Sequence, residues 1–292
     1  MNQATDRTVA VVTAAARRLA AAGVASPRVD AELLAAHVLG VPRARLVLAG
    51  DMSPAQRERY AQLVALRERR VPLQHLTGVA GFRWLEVAVG PGVLVPRPET
   101  ELLVEPVLAA LRDRRADAPV VVDLGSGSGA LALALAQELP AARVYAVEDD
   151  PEALEWLRRN AAARAAAGDR PIEVVAGDAT DPAVLADLDG TVDAVVCNPP
   201  YVPEGTEVEP EVTDHEPARA LFAGPDGLSV IRALVPRTAV LLRPGGVLVL
   251  EHDDSHEQSV PELLRRDGRF TAVADHRDLA GRPRYATATR GG

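Results

Sequence analysis

Cysteine is nearly absent. Cys197 is the only one in 292 residues, which excludes a disulfide framework and a thiolate metal site. Aromatic residues make up 3% of a chain that is 48% apolar, so the core must be built from Ala, Val and Leu, which let helices pack closely. Basic residues are outnumbered: 32 against 41 acids leave a net charge of −9. That argues against a protein whose affinity comes from neutralising many phosphates, while leaving room for a partner with a basic surface. No uninterrupted apolar run is long enough to span a bilayer. The opening Met1-Asn2-Gln3-Ala4-Thr5-Asp6 has no basic region followed by an apolar one. These absences predict a soluble cytoplasmic protein without membrane contact.

What is present falls into two patterns. The first 70 or so residues read as helices only. TVAVVTAAARRLAAAG (8–23) has helical apolar spacing and stops at Gly23. SPRVDAELLAAHVLG (26–40) opens with Ser26 as N-cap and Pro27 at the first helical position. SPAQRERYAQLVALRERR (53–70) repeats the Ser-Pro opening. It puts Tyr60, Leu63, Val64 and Leu66 near one face and its arginines largely on the other. Residues 71–100 alternate apolar side chains with glycines and prolines, as in a hairpin with a connecting loop. From residue 119, apolar runs such as VVVDLG alternate with helical segments. This predicts an α/β fold with a doubly wound, mostly parallel sheet, its ligand at the carboxyl ends of the strands beside the switch point. The segment LSVIRALVPRTAVLLRPGG (228–246) reads as a helix with a Gly-Gly stop. The expected organisation is a helical domain over 1–75, a hairpin linker over 76–98 and the α/β domain over 99–292.

Between the first strand and its helix stand Gly125, Gly127 and Gly129, with Ser126 and Ser128 between them. Glycine permits positive φ and close backbone approach, but this G-x-G-x-G run alone would also suit a plain tight turn. Two acids add to it. Glu148 ends the second strand, where a carboxylate can accept from ribose hydroxyls, and Asp178 ends the third, within reach of an adenine amino group. Singly, each acid could be a cap or a solvated strand end; in register they fit an adenosine site better. No Lys or Arg sits in the loop to meet a pyrophosphate, and Asp123 immediately precedes it. The pattern favours a cationic adenosine compound, S-adenosyl-L-methionine, over a nucleotide polyphosphate.

The fourth strand ends in Asn198-Pro199-Pro200-Tyr201. Proline has a fixed φ and no N–H, so this is a stiff corner. The Asn198 amide oxygen and the Pro199 carbonyl can accept hydrogen bonds from a planar NH2 group and aim its nitrogen at a methyl donor. Tyr201 offers a face for stacking. The four are the candidate catalytic and substrate-binding residues; the plain alternative is a proline turn that merely ends a strand.

The constellation resembles the methyltransferases of planar NH2 nitrogens. With QHLTG (74–78), VPRPETE (95–101), DLGSGSGALALALA (123–136), EPARAL with GPDGL (216–228), LEH (250–252) and RDLAGRPRY (277–285), the match narrows. Nearly the whole chain is similar to the HemK/PrmC family of peptide chain release factor N5-glutamine methyltransferases. The resemblance implies a small helical domain that grips the release factor and a seven-stranded class I S-adenosylmethionine-dependent methyltransferase domain. It implies class I release factors as protein partners, with the glutamine of their Gly-Gly-Gln loop as substrate. Carried over by position, cofactor contacts fall on Asp123, Gly125 to Gly129, Glu148, Asp178, Ala179 and Asn198, with Thr100 closing over the cofactor. Ala179 stands where some members carry an aromatic residue, so its backbone is the expected contact.

Three rivals remain. A ribosomal-protein glutamine N5-methyltransferase shares the fold, but its relatives carry a Pro-Arg-Ser-Pro type loop where this chain has Pro96-Arg97-Pro98-Glu99-Thr100. A nucleic-acid base N-methyltransferase would need a basic cleft, whereas Glu204, Glu207, Glu209, Glu211, Asp214 and Glu216 form an acidic rim or, equally well by charge alone, a solvated acidic loop. A non-catalytic nucleotide-binding module leaves the Asn198 corner without a purpose. His252, Asp253, Asp254 and His256 read as a polar loop, and no metal site is expected.

Overall fold

A computed structural model describes residues 7–112 and 118–292. The Met1–Asp6 opening, on which the absence of a leader was judged, lies outside the described residues. The chain forms two compact units: Met1–Val79 with Val208–Glu216, and Ala80–Glu207 with Pro217–Gly292.

The chain opens with α1 (Thr8–Ala21), α2 (Pro27–Leu39), α3 (Pro54–Glu68) and the short α4 (Leu73–Thr77), then a hairpin of β1 (Val79–Phe82) and β2 (Leu85–Ala88). After a 3-10 turn over Pro98–Leu103 come α5 (Val104–Leu111), β3 (Val120–Leu124), α6 (Ala130–Glu138), β4 (Arg143–Glu148), α7 (Pro151–Ala166), β5 (Glu173–Ala176) and β6 (Val192–Cys197). α8 (Pro210–His215), α9 (Ser229–Leu241), β7 (Leu242–Glu251), α10 (Ser259–Asp267), β8 (Phe270–Arg277) and β9 (Pro283–Arg290) complete it.

In the first unit, Val12, Leu19, Leu34, Tyr60, Leu63 and Val64 form one buried seam. The two Ser-Pro openings behave differently. Ser53 is extended (φ −62°, ψ 163°) and forms a full capping box with Gln56. Ser26 has ψ 59°, outside the extended region that aims the hydroxyl at the first-turn amides, and makes no cap bond. The arginines of α3 do not all face away from the core. Arg67 is buried, with Nε donating to Asp30 Oδ2 at 2.7 Å and Nη2 to Glu211 Oε1 at 2.7 Å. Arg70 also bonds Glu211. The acidic rim is therefore smaller than its sequence suggests: Glu211 is spent on these two guanidiniums and Glu216 is buried, leaving Glu204, Glu207, Glu209 and Asp214 exposed.

The second unit holds a seven-stranded sheet of order β5-β4-β3-β6-β7-β9-β8. The pairs from β5 to β7 are parallel, and β9 is antiparallel to both β7 and β8. The apolar runs are buried on both faces, as parallel strands between helices must be. Val121, Ala194 and Val196 join one core, and Val122, Leu124, Val195 and Cys197 the other. The expected Gly-Gly helix stop is displaced: α9 ends at Leu241, and Arg243-Pro244-Gly245-Gly246 lies inside β7, whose register with β6 shifts between Val192 and Ala194. Gly245 there has φ +75°, which accommodates the irregularity. From β3 the chain winds to β4 and β5 on one side and returns to β6 and β7 on the other. The switch-point crevice thus opens at the carboxyl ends of β3 and β6.

Candidate functional site

A cavity of about 450 Å³ occupies that crevice. Of the residues expected from sequence, Gly125, Gly127, Glu148, Asp178, Ala179, Asn198, Pro199 and Pro200 line it. Asp123, Ser126, Ser128, Gly129, Thr100 and Tyr201 do not form part of the lining.

The glycine loop is built mostly by backbone bonding. Gly125 and Ser126 N–H both donate to the Val147 carbonyl at 2.9 Å. Gly125 and Gly127 have φ +74° and +55°, so their left-handed backbone faces the cavity without a side chain. Gly129 serves packing: a Cβ there would stand 2.5 Å from Leu157 Cδ1. Glu148 closes the loop. Its Oε2 accepts from Gly127 N–H at 2.8 Å, and Oε1 from the N–H groups of Asp149 and Asp150 at 3.0 and 2.8 Å. A carboxylate has about four acceptor sites, so roughly one remains. Burial raises the Glu148 pKa against these bonds. Asp123 is fully buried behind the loop; Oδ2 accepts from Ala132 N–H in the first turn of α6 at 3.2 Å, while Oδ1 has no partner. Burial pushes its carboxyl up to about 7. Asp178 is exposed, and its Oδ1 accepts from the N–H and hydroxyl of Thr180, which lowers its pKa.

At the end of β6, Asn198 Nδ2 donates to Thr100 Oγ1 at 3.0 Å. Thr100 is thus fixed to the amide rather than spread over the cavity. Tyr201 Oη donates to Glu251 Oε1 at 2.8 Å, and its backbone N–H donates to the Leu221 carbonyl. Glu251, at the end of β7, is fully buried and pushed up to about 7 by desolvation, against the Thr100 and Tyr201 hydroxyls and Arg284, with Glu99 adding to the rise. Cys197 is a buried strand residue whose thiol donates to the Leu124 carbonyl.

Some contributors escaped the sequence reading. Gly92, Val93 and Leu94, after the hairpin, line the cavity. Asn160 of α7 is buried and clamps this strap to the glycine loop, donating to the Ala88 and Ser128 carbonyls at 2.9 Å and accepting from Ala88 N–H. The signal was a lone Asn in an Ala-rich helix, too weak to read. Arg219 lines the cavity and pairs with Asp149 and Asp150 at 2.7 and 3.1 Å. The charged lining is then four acids (Glu148, Asp149, Asp150, Asp178) against Arg219 alone. Such a lining suits a ligand with positive charge, held by backbone at the glycines and by acceptors around it.

Comparisons with known proteins bear on the family and the fold. The profile of the PrmC N-terminal domain family matches residues 10–78, and that of the methyltransferase small domain matches 98–220. A release factor glutamine methyltransferase of Mycolicibacterium smegmatis is 54% identical over 279 residues, 96% of either chain. One of Streptomyces coelicolor is 50% identical, over 97% of this chain and 98% of its own. Among solved structures, a T. thermophilus 16S rRNA N2 G1207 methyltransferase in complex with AdoMet and guanosine superposes with a TM-score of 0.51. It is 26% identical, over 73% of this chain and 49% of that one. The doubly wound domain is that of the class I S-adenosylmethionine-dependent methyltransferases, as the resemblance implied. With such identity sustained over nearly the full length of curated relatives, the chain belongs to the release factor glutamine methyltransferase family.

Proposed function

We propose that this protein transfers a methyl group to the side-chain amide nitrogen (N5) of the glutamine in the Gly-Gly-Gln motif of class I peptide chain release factors. The observation that carries the reading is Asn198. It lines the same cavity as Gly125, Gly127 and Glu148, and it gives its donor end to Thr100, so the acceptor end is left for an incoming NH2. An amide nitrogen is a poor nucleophile because its lone pair is delocalised into the carbonyl. Asn198 Oδ1 and the Pro199 carbonyl accept its two N–H bonds and hold the nitrogen in one direction. This is positioning and electrostatics, with no strong base required. Pro200 stiffens the corner, and the half-buried Tyr201 ring offers a planar surface to the amide.

S-adenosyl-L-methionine, when bound, supplies an electrophilic methyl group. The acid-rich lining fits its positive charges, and the left-handed glycines give it bare backbone. Glu148 holds the ribose, Asp178 and the Ala179 backbone meet the adenine, and Asp123, Ser126, Ser128 and Gly129 shape the loop that receives it. Thr100 acts through Asn198. The helical unit grips the folded release factor. The protein works in the cytoplasm, without direct contact to nucleic acid or membrane; no helix among the described residues is long and apolar enough to cross a bilayer. The test is mass spectrometry of a release factor incubated with the protein and S-adenosyl-L-methionine. One added methyl on the Gly-Gly-Gln glutamine is expected. Methylation of a ribosomal protein or of RNA in place of the release factor overturns the reading.

A further inference from the structure

An asparagine amide has two unlike ends, one that only donates and one that only accepts. The reaction proposed above needs the accepting end toward the cavity. Thr100 alone cannot ensure that, because a hydroxyl both donates and accepts and would tolerate the amide either way round. Its direction is settled only if its own proton is committed elsewhere. Glu251 supplies that commitment. It is fully buried, and its Oε1 already accepts from Tyr201 Oη at 2.8 Å. Its Oε2 has no hydrogen-bond partner; burial raises the carboxyl's pKa, and the Thr100 hydroxyl works against that rise. That leaves a buried acceptor without a partner on Glu251 and, on Thr100, a hydroxyl proton that Asn198 does not take. A buried acceptor without a partner is costly, a penalty that binding the Thr100 proton relieves.

We propose that Glu251 is a positioning residue for methyl transfer. By accepting from Thr100 and Tyr201 it fixes the hydrogen-bond direction that turns the Asn198 carbonyl toward the cavity, and it anchors the corner at both ends. The relay joins three separate elements: the 3-10 turn after the hairpin, the end of β6 and the end of β7. It rests on the reading that Asn198 receives the substrate amide.

Glu251→Gln tests it, because glutamine keeps the shape but offers a donor as well as an acceptor, so the direction is no longer fixed. The expected result on intact release factor is a kcat at least tenfold lower, with affinity for S-adenosyl-L-methionine within about twofold of wild type and a thermal midpoint no lower than that of wild type. Thr100→Val should lower kcat similarly. Most of the Glu251→Gln loss should vanish in the Thr100→Val background, because coupled residues are not additive. A merely structural glutamate would instead lower cofactor affinity and the thermal midpoint, and its loss would add to that of Thr100→Val. A wild-type kcat for Glu251→Gln, or additive losses, overturns the proposal. If Glu251→Gln does not fold, Thr100→Val and Tyr201→Phe carry the test, and unchanged kcat in both is the overturning result. Asn198→Ala run alongside separates the two ideas. Normal transfer by that variant removes the role of the amide and the relay with it; lost transfer, with Glu251→Gln at wild-type rate, removes the relay alone.

Discussion

The two halves of the cavity hold their polar groups in opposite ways. On the β3–β4 side, carboxylates accept from backbone N–H groups: Glu148 takes three, Asp150 two and Asp123 one. A backbone donor cannot reverse, so that half is fixed by the fold. On the β6–β7 side a neutral amide is held by a hydroxyl, and Tyr201 by a buried carboxyl. Hydroxyls can reverse, so orientation there depends on every member of a side-chain chain. The fixed half is suited to binding, and the reversible half to a single directed contact at the reacting atom. The contrast breaks most visibly at Asn198. Asn198→Ala should reduce transfer by about 3 kcal/mol in the transition state, on the scale of one oxyanion-hole donor, roughly a hundredfold or more. Affinity for S-adenosyl-L-methionine, measured by calorimetry, should stay within a fewfold. A variant that turns over normally removes the assigned role.

The same contrast predicts a pH effect. Asp123 and Glu251, one behind each half, are buried and pushed up to about 7. Their ordinary values are 3.8 and 4.5, so between about 4 and 7 the folded state binds more protons than the unfolded one. Unfolding stability then falls as pH rises through that window, and the contribution of these groups is fully present only below it. At about 1.4 kcal/mol per pKa unit, each rise corresponds to about 3–4 kcal/mol. The comparison is thermal unfolding of wild type and Glu251→Gln from pH 5 to 8. The variant should show a shallower decline toward high pH, and parallel curves contradict the raised value.

Glu148→Ala sharpens the other half. The carboxylate is remote from the reacting nitrogen but makes charge-assisted bonds to the loop and, as proposed, to the ribose. The expected loss is ten- to thirtyfold in cofactor affinity, about 1.4–2 kcal/mol, with the rate at saturating cofactor nearly preserved. Equal affinity with a collapsed saturated rate would place Glu148 in the chemistry instead.

Period and punctuation were enough to read the strand–helix alternation, the switch point and the loop–acid–corner constellation, because each depends on local residue types at fixed spacing. What escaped the reading depends on long-range placement. Nothing local in PEVTDH says that α8 joins the helical unit through Glu211 and the arginines 141 and 144 positions earlier. Arg67 looked like a surface residue because burying a guanidinium is costly unless it is paired, and its partners lie far along the chain. Ser26 had the right identity for a cap and the wrong ψ. Thr100 was placed near the cofactor by resemblance, yet only the fold brings it to the Asn198 amide. Glu251 stood in a recognised Leu-Glu-His run whose use no spacing could disclose.

The smallest expected effect concerns the helical unit. Val47 and Leu48, in its 3-10 segment Arg43–Leu48, are 82% and 84% exposed. Single exposed apolar residues are ordinary, but two adjacent ones on a unit proposed to grip a folded protein are candidate anchors, since a few residues carry most of an interface. Remote contacts of this kind supply binding energy and present the glutamine correctly. The double variant Val47→Asp, Leu48→Asp should fold normally, because neither side chain belongs to the core. Its kcat/KM on intact release factor should fall about tenfold, or 1.4 kcal/mol. A short Gly-Gly-Gln peptide, which reaches only the cavity, should be a poor substrate for both proteins and show no difference between them. Truncating the first 70 residues is a poorer test, since it strips Arg67 and Arg70 from Glu211. If the double variant treats release factor as wild type does, this patch is not the grip. If peptide and protein substrates suffer equally, the substitutions act on the catalytic domain and the docking role loses its support.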